Sequence, residues 1–254
     1  MIKTLLFDIG GTLLTVHNSP ELRTAFGETL KKRLALYGLP LEVSAEQLGL
    51  QIHENGELYK HWAEEHKAEL PQARIWSDFY LREYHFSEEQ LAPYAEELSF
   101  RFDYDRVELK RRPDVYEALT RLHDMGIRLG IITNVQSTSF APHILKEYGI
   151  DKLMDCLVMS SEAGCRKPDP AIFRLAMDQL GVTPEETGYV GDTISRDVLG
   201  SRNAGLGLVV QIRNPKVAHR DAAFLGRPDC PVPDYLIDEL SELIPILEAV
   251  NAQP

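Results

Sequence analysis

Cysteine is scarce in this chain. Cys156, Cys165 and Cys230 are an odd number with no paired spacing, which argues against a disulfide framework or a zinc site and fits reduced thiols in a cytoplasm. Long apolar runs are lacking too. Nothing approaches the roughly 20 residues of a membrane span, and Met1 leads straight into a strand pattern rather than a leader peptide. Positive charge is in deficit. A net charge of −12 makes nucleic acid or an anionic membrane surface an unsuitable partner. An acidic protein that handles phosphate must therefore neutralise it locally, with a metal ion or a lysine. No internal repeat or low-complexity tract interrupts the 254 residues, which suffice for one large domain or two.

What is present begins at the N-terminus. Ile2 to Phe7 is too short for a core helix and long enough for a buried strand, and it runs into Asp8-Ile9-Gly10-Gly11-Thr12. A carboxylate directly after a buried strand, followed by two glycines, places an acid at a sheet's carboxyl edge where backbone can approach a ligand closely.

From about Asn18 the pattern turns helical. Leu22, Phe26, Leu30 and Leu34 recur on one face of an amphipathic helix that ends near Gly38-Leu39-Pro40. Ser44 with Gln47 and Ser87 with Gln90 read as capping boxes of further helices. Between His53 and Tyr104 lie 11 of the 21 aromatic residues, including both tryptophans, as a small helical unit with its own core requires. His53, His61, His66 and His85 match no metal-ligand spacing and read as solvated helix-surface residues.

After Arg111-Arg112 strand and helix patterns alternate to the end. A helix after Pro113 with Tyr116, Leu119 and Leu122 on its apolar face stops at Gly126, and a buried strand from Arg128 ends in Thr133-Asn134. A helix from Pro142 leads to a strand, Cys156 to Met159. Asp169 and Pro170 open the next helix, which closes at Gly181. Thr183 with Glu186 reads as another capping box, and Tyr189-Val190 as a strand core ending in Gly191-Asp192. A helix from Arg196 to Ala204, a strand from Leu206 to Ile212, a loop from Arg213 to Pro233, a strand over Tyr235 to Ile237 and an amphipathic tail follow. Such alternation means an α/β fold, a doubly wound, Rossmann-like parallel sheet covered on both faces. The expected organisation is a core domain from residues 1–17 and 108–254 with an inserted all-helical cap over 18–107.

Parallel strands share one carboxyl edge, so Asp8, Thr133, Asn134 and Asp192 are expected together there. Asp197 lies about a helical turn on, and Lys167 opens a helix beside them. Asp8 and Asp192 offer the hard oxygen ligands that suit Mg²⁺. Thr133 can donate to a phosphate oxygen, Lys167 can offset charge on a pentacoordinate phosphorus, and an Asp carboxylate can act as a covalent nucleophile towards a phosphoryl group.

Four segments resemble the motifs of the haloacid dehalogenase (HAD) superfamily: Phe7 to Leu13, Ile132-Thr133-Asn134, Arg166 to Pro170 and Gly191 to Asp197. The resemblance implies a helical cap after the first motif and Mg²⁺-dependent phosphoryl chemistry. It makes Asp8 the nucleophile, the Gly10 carbonyl and Asp192 metal ligands, and Asp197 a support for the metal. Thr133 and Lys167 would bind the phosphoryl group, with Asn134 beside them in the substrate site. One departure stands out, since phosphatases of that superfamily usually carry a second Asp where this chain has Gly10. Its dehalogenases usually have Tyr and its phosphonatases Ala, together with a cap lysine, for which only Lys31, Lys32, Lys60 and Lys67 exist here. The leading expectation is hydrolysis of a small phosphorylated metabolite through an aspartyl-phosphate, with His17 a candidate for the missing proton donor. The alternatives are a phospho-ligand-binding protein with negligible turnover, or a phosphonatase- or dehalogenase-type enzyme.

Overall fold

The structure is a computed structural model that describes residues 1–252. Eight strands run in chain order: β1 Thr4–Phe7, β2 Leu14–His17, β3 Glu108–Arg111, β4 Arg128–Thr133, β5 Met154–Met159, β6 Thr187–Gly191, β7 Leu208–Ile212 and β8 Tyr235–Ile237. Six of them form one all-parallel sheet in the order β5-β4-β1-β6-β7-β8, the doubly wound order in which the chain reverses direction beside β1. Leu5, Phe7 and Ile131 face one apolar layer, and Leu6, Ile132 and Tyr189 face the other. That double burial is why these strands read as near-continuous apolar runs.

Residues 20–104 contain only helices. The two longest are α1 (Pro20–Leu36), where Ser19 accepts from the Leu22 amide, and α2 (Ala45–His66), where the expected cap Ser44 accepts from the Gln47 amide. These helices hold their own aromatic core around Phe26, Tyr59, Trp76, Tyr80 and Phe102, separate from both sheet layers.

Several expectations need correcting. β2 and β3 form an antiparallel ribbon, with His17 opposite Glu108, at the chain's two crossings between helices and sheet. β3 is mostly exposed and shows no apolar alternation, so the sequence carries no strand signal there. Thr183 makes no capping bond and opens only a short 3₁₀ turn at Pro184. The helix after Asp192 starts with a π-helical turn, Ile194–Val198, before α-helical Leu199–Asn203. The stretch 213–233 is not all loop: Pro215–Val217 and Ala218–Asp221 are helical turns, held because the Asp221 carboxylate accepts from the Ile194 and Ser195 amides.

Candidate active site

Three adjacent central strands deliver the site. Asp8 follows β1, Thr133 ends β4 and Asp192 follows β6, so register alone brings them to one edge. Asp169 caps the helix Pro170–Leu180 by accepting from the Ala171 amide at 2.8 Å, which fixes the segment that carries Lys167. Lys167 is buried, and its ammonium donates to Asp197 Oδ1 and to the Tyr189 hydroxyl, both at 2.7 Å, and forms an ion pair with Asp8 Oδ1 at 2.9 Å. Two of the three donors of the ammonium are thus used in hydrogen bonds within the protein.

Asp8, Asp192 and Asp197 each offer a carboxylate oxygen within 4.8 Å of the others. Burial works against ionising Asp197, yet Lys167 and Arg196 outweigh it and hold its carboxyl down to about 2. Burial raises Asp8 despite Lys167. For Asp192, burial and repulsion from Asp197 and Asp8 push the carboxyl up to about 7. Asp192 Oδ2 accepts from Asn214 at 2.7 Å, while Oδ1 is buried with no hydrogen-bond partner among the described residues. An orphaned buried carboxylate oxygen beside two more acids is costly unless a cation completes it. The carboxylate donors therefore fit a small hard cation. Gly11 makes the approach possible: it has a positive φ, and a Cβ there would lie 1.9 Å from Asp192 Oδ2.

Two of the expected site residues also bond within the site. Both oxygens of Asp197 are taken, one by Lys167 and Tyr189, the other by the Thr193 amide and hydroxyl, so it orders the site rather than presenting a vacant oxygen. Asn134 spends its amide on Lys167, accepting from its backbone N–H at 3.0 Å and donating to its carbonyl at 3.1 Å. It positions the lysine with its oxygen and one of its two amide donors.

The site opens into a cavity of about 820 Å³ between the sheet edge and the helices. Thr133 and Gly10 line it, and His17 stands exposed at its rim. Arg196, Arg106, Arg220 and Lys60 line it too. Of the four candidate cap lysines only Lys60 does, and it is paired with Glu57 at 2.7 Å. His53 is no surface residue but a half-buried part of this wall. Sequence reasoning missed Tyr189 and Arg196, the first because it reads as strand core and the second as a solvated helix position.

Helical residues also grip the sheet loops. Glu69 pairs with Arg166 at 3.1 Å and accepts from Ser160 at 2.6 Å. Glu96 accepts from the Thr138 and Ser139 amides, both at 3.0 Å, and from the Ser137 hydroxyl at 2.7 Å. Asp103 accepts from the Gln136 and Ser137 amides.

Comparison with known proteins agrees with this geometry. A family model described as haloacid dehalogenase-like hydrolase matches residues 2–205. A glyceraldehyde 3-phosphate phosphatase of Methanopyrus kandleri is 30% identical over 247 residues, covering 97% of each chain. Among solved structures, a HAD phosphatase from Thermococcus onnurineus aligns over 97% of this chain and 98% of its own, with TM-score 0.59 and 25% identity. A 2-haloacid dehalogenase from Pseudomonas syringae pv. Tomato shares the fold at TM-score 0.67 and 21% identity, covering 98% and 100%.

Proposed function

This chain belongs to the haloacid dehalogenase-like hydrolase family, and we propose that within it the protein is a Mg²⁺-dependent phosphatase of small phosphorylated metabolites. The helical segment 18–107 acts as its cap. The observation that carries this reading is the Lys167 ammonium set between Asp8 and Asp197, beside the orphaned oxygen of Asp192, at the floor of a metabolite-sized cavity. Lys167 and Thr133 hold the phosphoryl oxygens, and Asp197 and Asn134 fix Lys167. An oxygen of Asp8 attacks phosphorus and the P–O bond to the leaving alcohol breaks, giving an aspartyl-phosphate. Water then attacks that phosphorus, releasing phosphate and restoring the Asp8 carboxylate. Mg²⁺, held by Asp8, Asp192 and the Gly10 carbonyl, would supply positive charge against the phosphoryl oxygens. With no carboxyl at position 10, the leaving oxygen takes its proton from cavity water. The helical wall, gripped through Glu69 and Glu96, keeps bulk solvent away during transfer.

The test is phosphate release from an aryl phosphate with Mg²⁺ or with a chelator. Turnover is expected only with the metal, and Asp8→Asn should lower it to background. Full activity of Asp8→Asn would overturn the covalent route. A wild type that binds phosphate yet never turns over would instead make this a phospho-ligand-binding protein.

A further inference from the structure

The helical wall of the cavity holds a cation, Arg106, that forms no ion pair among the described residues. Arg106 lies between the helix Ala95–Tyr104 and β3 and lines the cavity. Its guanidinium carbon is 4.1 Å from the centroid of the Phe102 ring, and its Nε donates to the Phe102 carbonyl at 3.4 Å. The acids that face it are Asp103 and Glu57, and both are engaged elsewhere. Asp103 Oδ2 accepts from two loop amides at 3.1 and 2.9 Å, and Glu57 holds Lys60. Tyr80, Arg23 and His53 are further titratable neighbours.

Across the same wall, on α2, stands His53. Its Nδ1 is buried without a hydrogen-bond partner among the described residues. Burial, then the charge of Arg23, holds the imidazole below its usual value against the pull of Glu57 and Glu54, with Arg106 adding to the depression. The wall between these two groups is aromatic. Tyr80 and Phe102 stack at 4.5 Å, and a Cβ on Gly56 would touch both rings at 3.3 Å. A guanidinium with no carboxylate in direct contact among the described residues and an imidazole nitrogen without a partner there, over an apolar wall, are the complement of an anionic group on a short carbon chain.

We propose that Arg106 and His53 form a subsite for a second anionic group of the substrate, distinct from the phosphoryl group at Asp8. The preferred substrates are then phosphorylated acids or bisphosphates rather than phosphorylated neutral alcohols. The inference rests on the phosphatase reading above. Arg106 supplies the charge-assisted hydrogen bonds, and His53 supplies its vacant nitrogen. An anion docked there stabilises imidazolium, so binding should raise the pKa of His53.

The test uses the full chain with Mg²⁺ and four probes: ethyl phosphate, phenyl phosphate, 2-phosphoglycolate and propane-1,3-diol bisphosphate. At least one of the two doubly anionic probes should exceed ethyl phosphate in kcat/KM by roughly tenfold or more, and which one does distinguishes a carboxylate from a second phosphate. Arg106→Gln should erase that preference mainly through KM, and Arg106→Lys should restore part of it. On the wild type, NMR titration of His53 should show its pKa rising with the preferred probe and not with ethyl phosphate. Should Arg106→Gln fail to fold, this titration and His53→Ala still decide the matter. Equal kcat/KM for all alkyl probes, or a preference that survives in Arg106→Gln, overturns the subsite. If even phenyl phosphate is not hydrolysed, it is the phosphatase reading that fails. Calorimetric binding of 2-phosphoglycolate and the bisphosphate against ethyl phosphate then judges the subsite by itself, with equal affinities for all three overturning it.

Discussion

Position 10 leaves room that the chain does not use. A Cβ built on Gly10 meets nothing within 4 Å, and the backbone there lies outside the left-handed region that would strain a larger residue. Gly10→Asp should therefore fold and place a carboxyl two residues from Asp8, where it can protonate a leaving alcohol and later activate water. General acid–base help of this kind is worth about 10²–10⁴ in rate. The expected gain is on the order of a hundredfold for an alkyl phosphate and far less for an aryl phosphate, whose leaving group needs little help. Steady-state rates on both substrates check this, and a folded variant no faster on either would refute it. Much at this scale was legible in the chain itself. Asp8, Thr133 and Asp192 each stand at the end of an apolar run, and Lys167 stands before a Pro170-started helix, so topology alone gathers them. The bonds from Asn134 to Lys167 were not legible, because nothing in a sequence says that an amide will meet a neighbouring backbone. Arg196 was hidden because a π-helical turn, rather than the expected α-helix, sets where it points. The Thr193-to-Asp197 contact that starts this turn joins residues four apart, a spacing that reads as ordinary helix.

Among the elements, the contacts between helices and sheet loops invite a pH experiment. Burial opposes ionisation of Glu96, but hydrogen bonds from Ser139, Ser137, the Thr138 amide and Gln72 outweigh it and hold the carboxyl down to about 2. A carboxyl lowered in the folded state contributes stability that is complete above its ordinary value. That stability is lost as pH falls from about 4.5 towards about 2. The helical wall should therefore loosen from the 137–139 loop in acid before the sheet unfolds. Glu96→Gln should mimic this at pH 7, speeding hydrogen exchange at the Thr138 and Ser139 amides roughly tenfold. Unchanged exchange would remove Glu96 as the clasp. Five of the six sheet strands were readable from largely buried apolar runs bounded by turn residues, and β8 from its apolar residues although Tyr235 and Leu236 are exposed. The β2–β3 ribbon was not, since its pairing depends on where two distant crossings meet and its residues are largely exposed. The helical turns within 213–221 were missed for a similar reason: a tertiary contact, Asp221 to the 194–195 amides, holds them in place of any periodic pattern.

Over the whole molecule, charge is divided by place. The chain carries −12 overall, yet its cavity gathers Arg106, Arg166, Lys167, Arg196, Lys216 and Arg220. That contrast keeps the protein from polyanions in general while leaving one concave surface that receives a small one. The ribbon has a consequence of another kind. Because His17 and Glu108 face each other as cross-strand neighbours, the chain leaves the sheet and returns to it through a single doorway. Everything between them is, topologically, an enlarged hairpin turn, and an Asn-Gly pair would close the same ladder. A chain shortened in that way should still melt cooperatively with an α/β circular dichroism spectrum, since the sheet layers lose only Phe100 and Tyr104 among their apolar partners. Arg166 and the 136–139 amides, stripped of Glu69, Glu96 and Asp103, would regain water rather than stay buried and unpaired. A molten or aggregated product would mean the doorway is also a foundation. If it folds, the door can be rehung: segments of any length that begin and end at one cross-strand gap can be exchanged there without moving a single strand out of register.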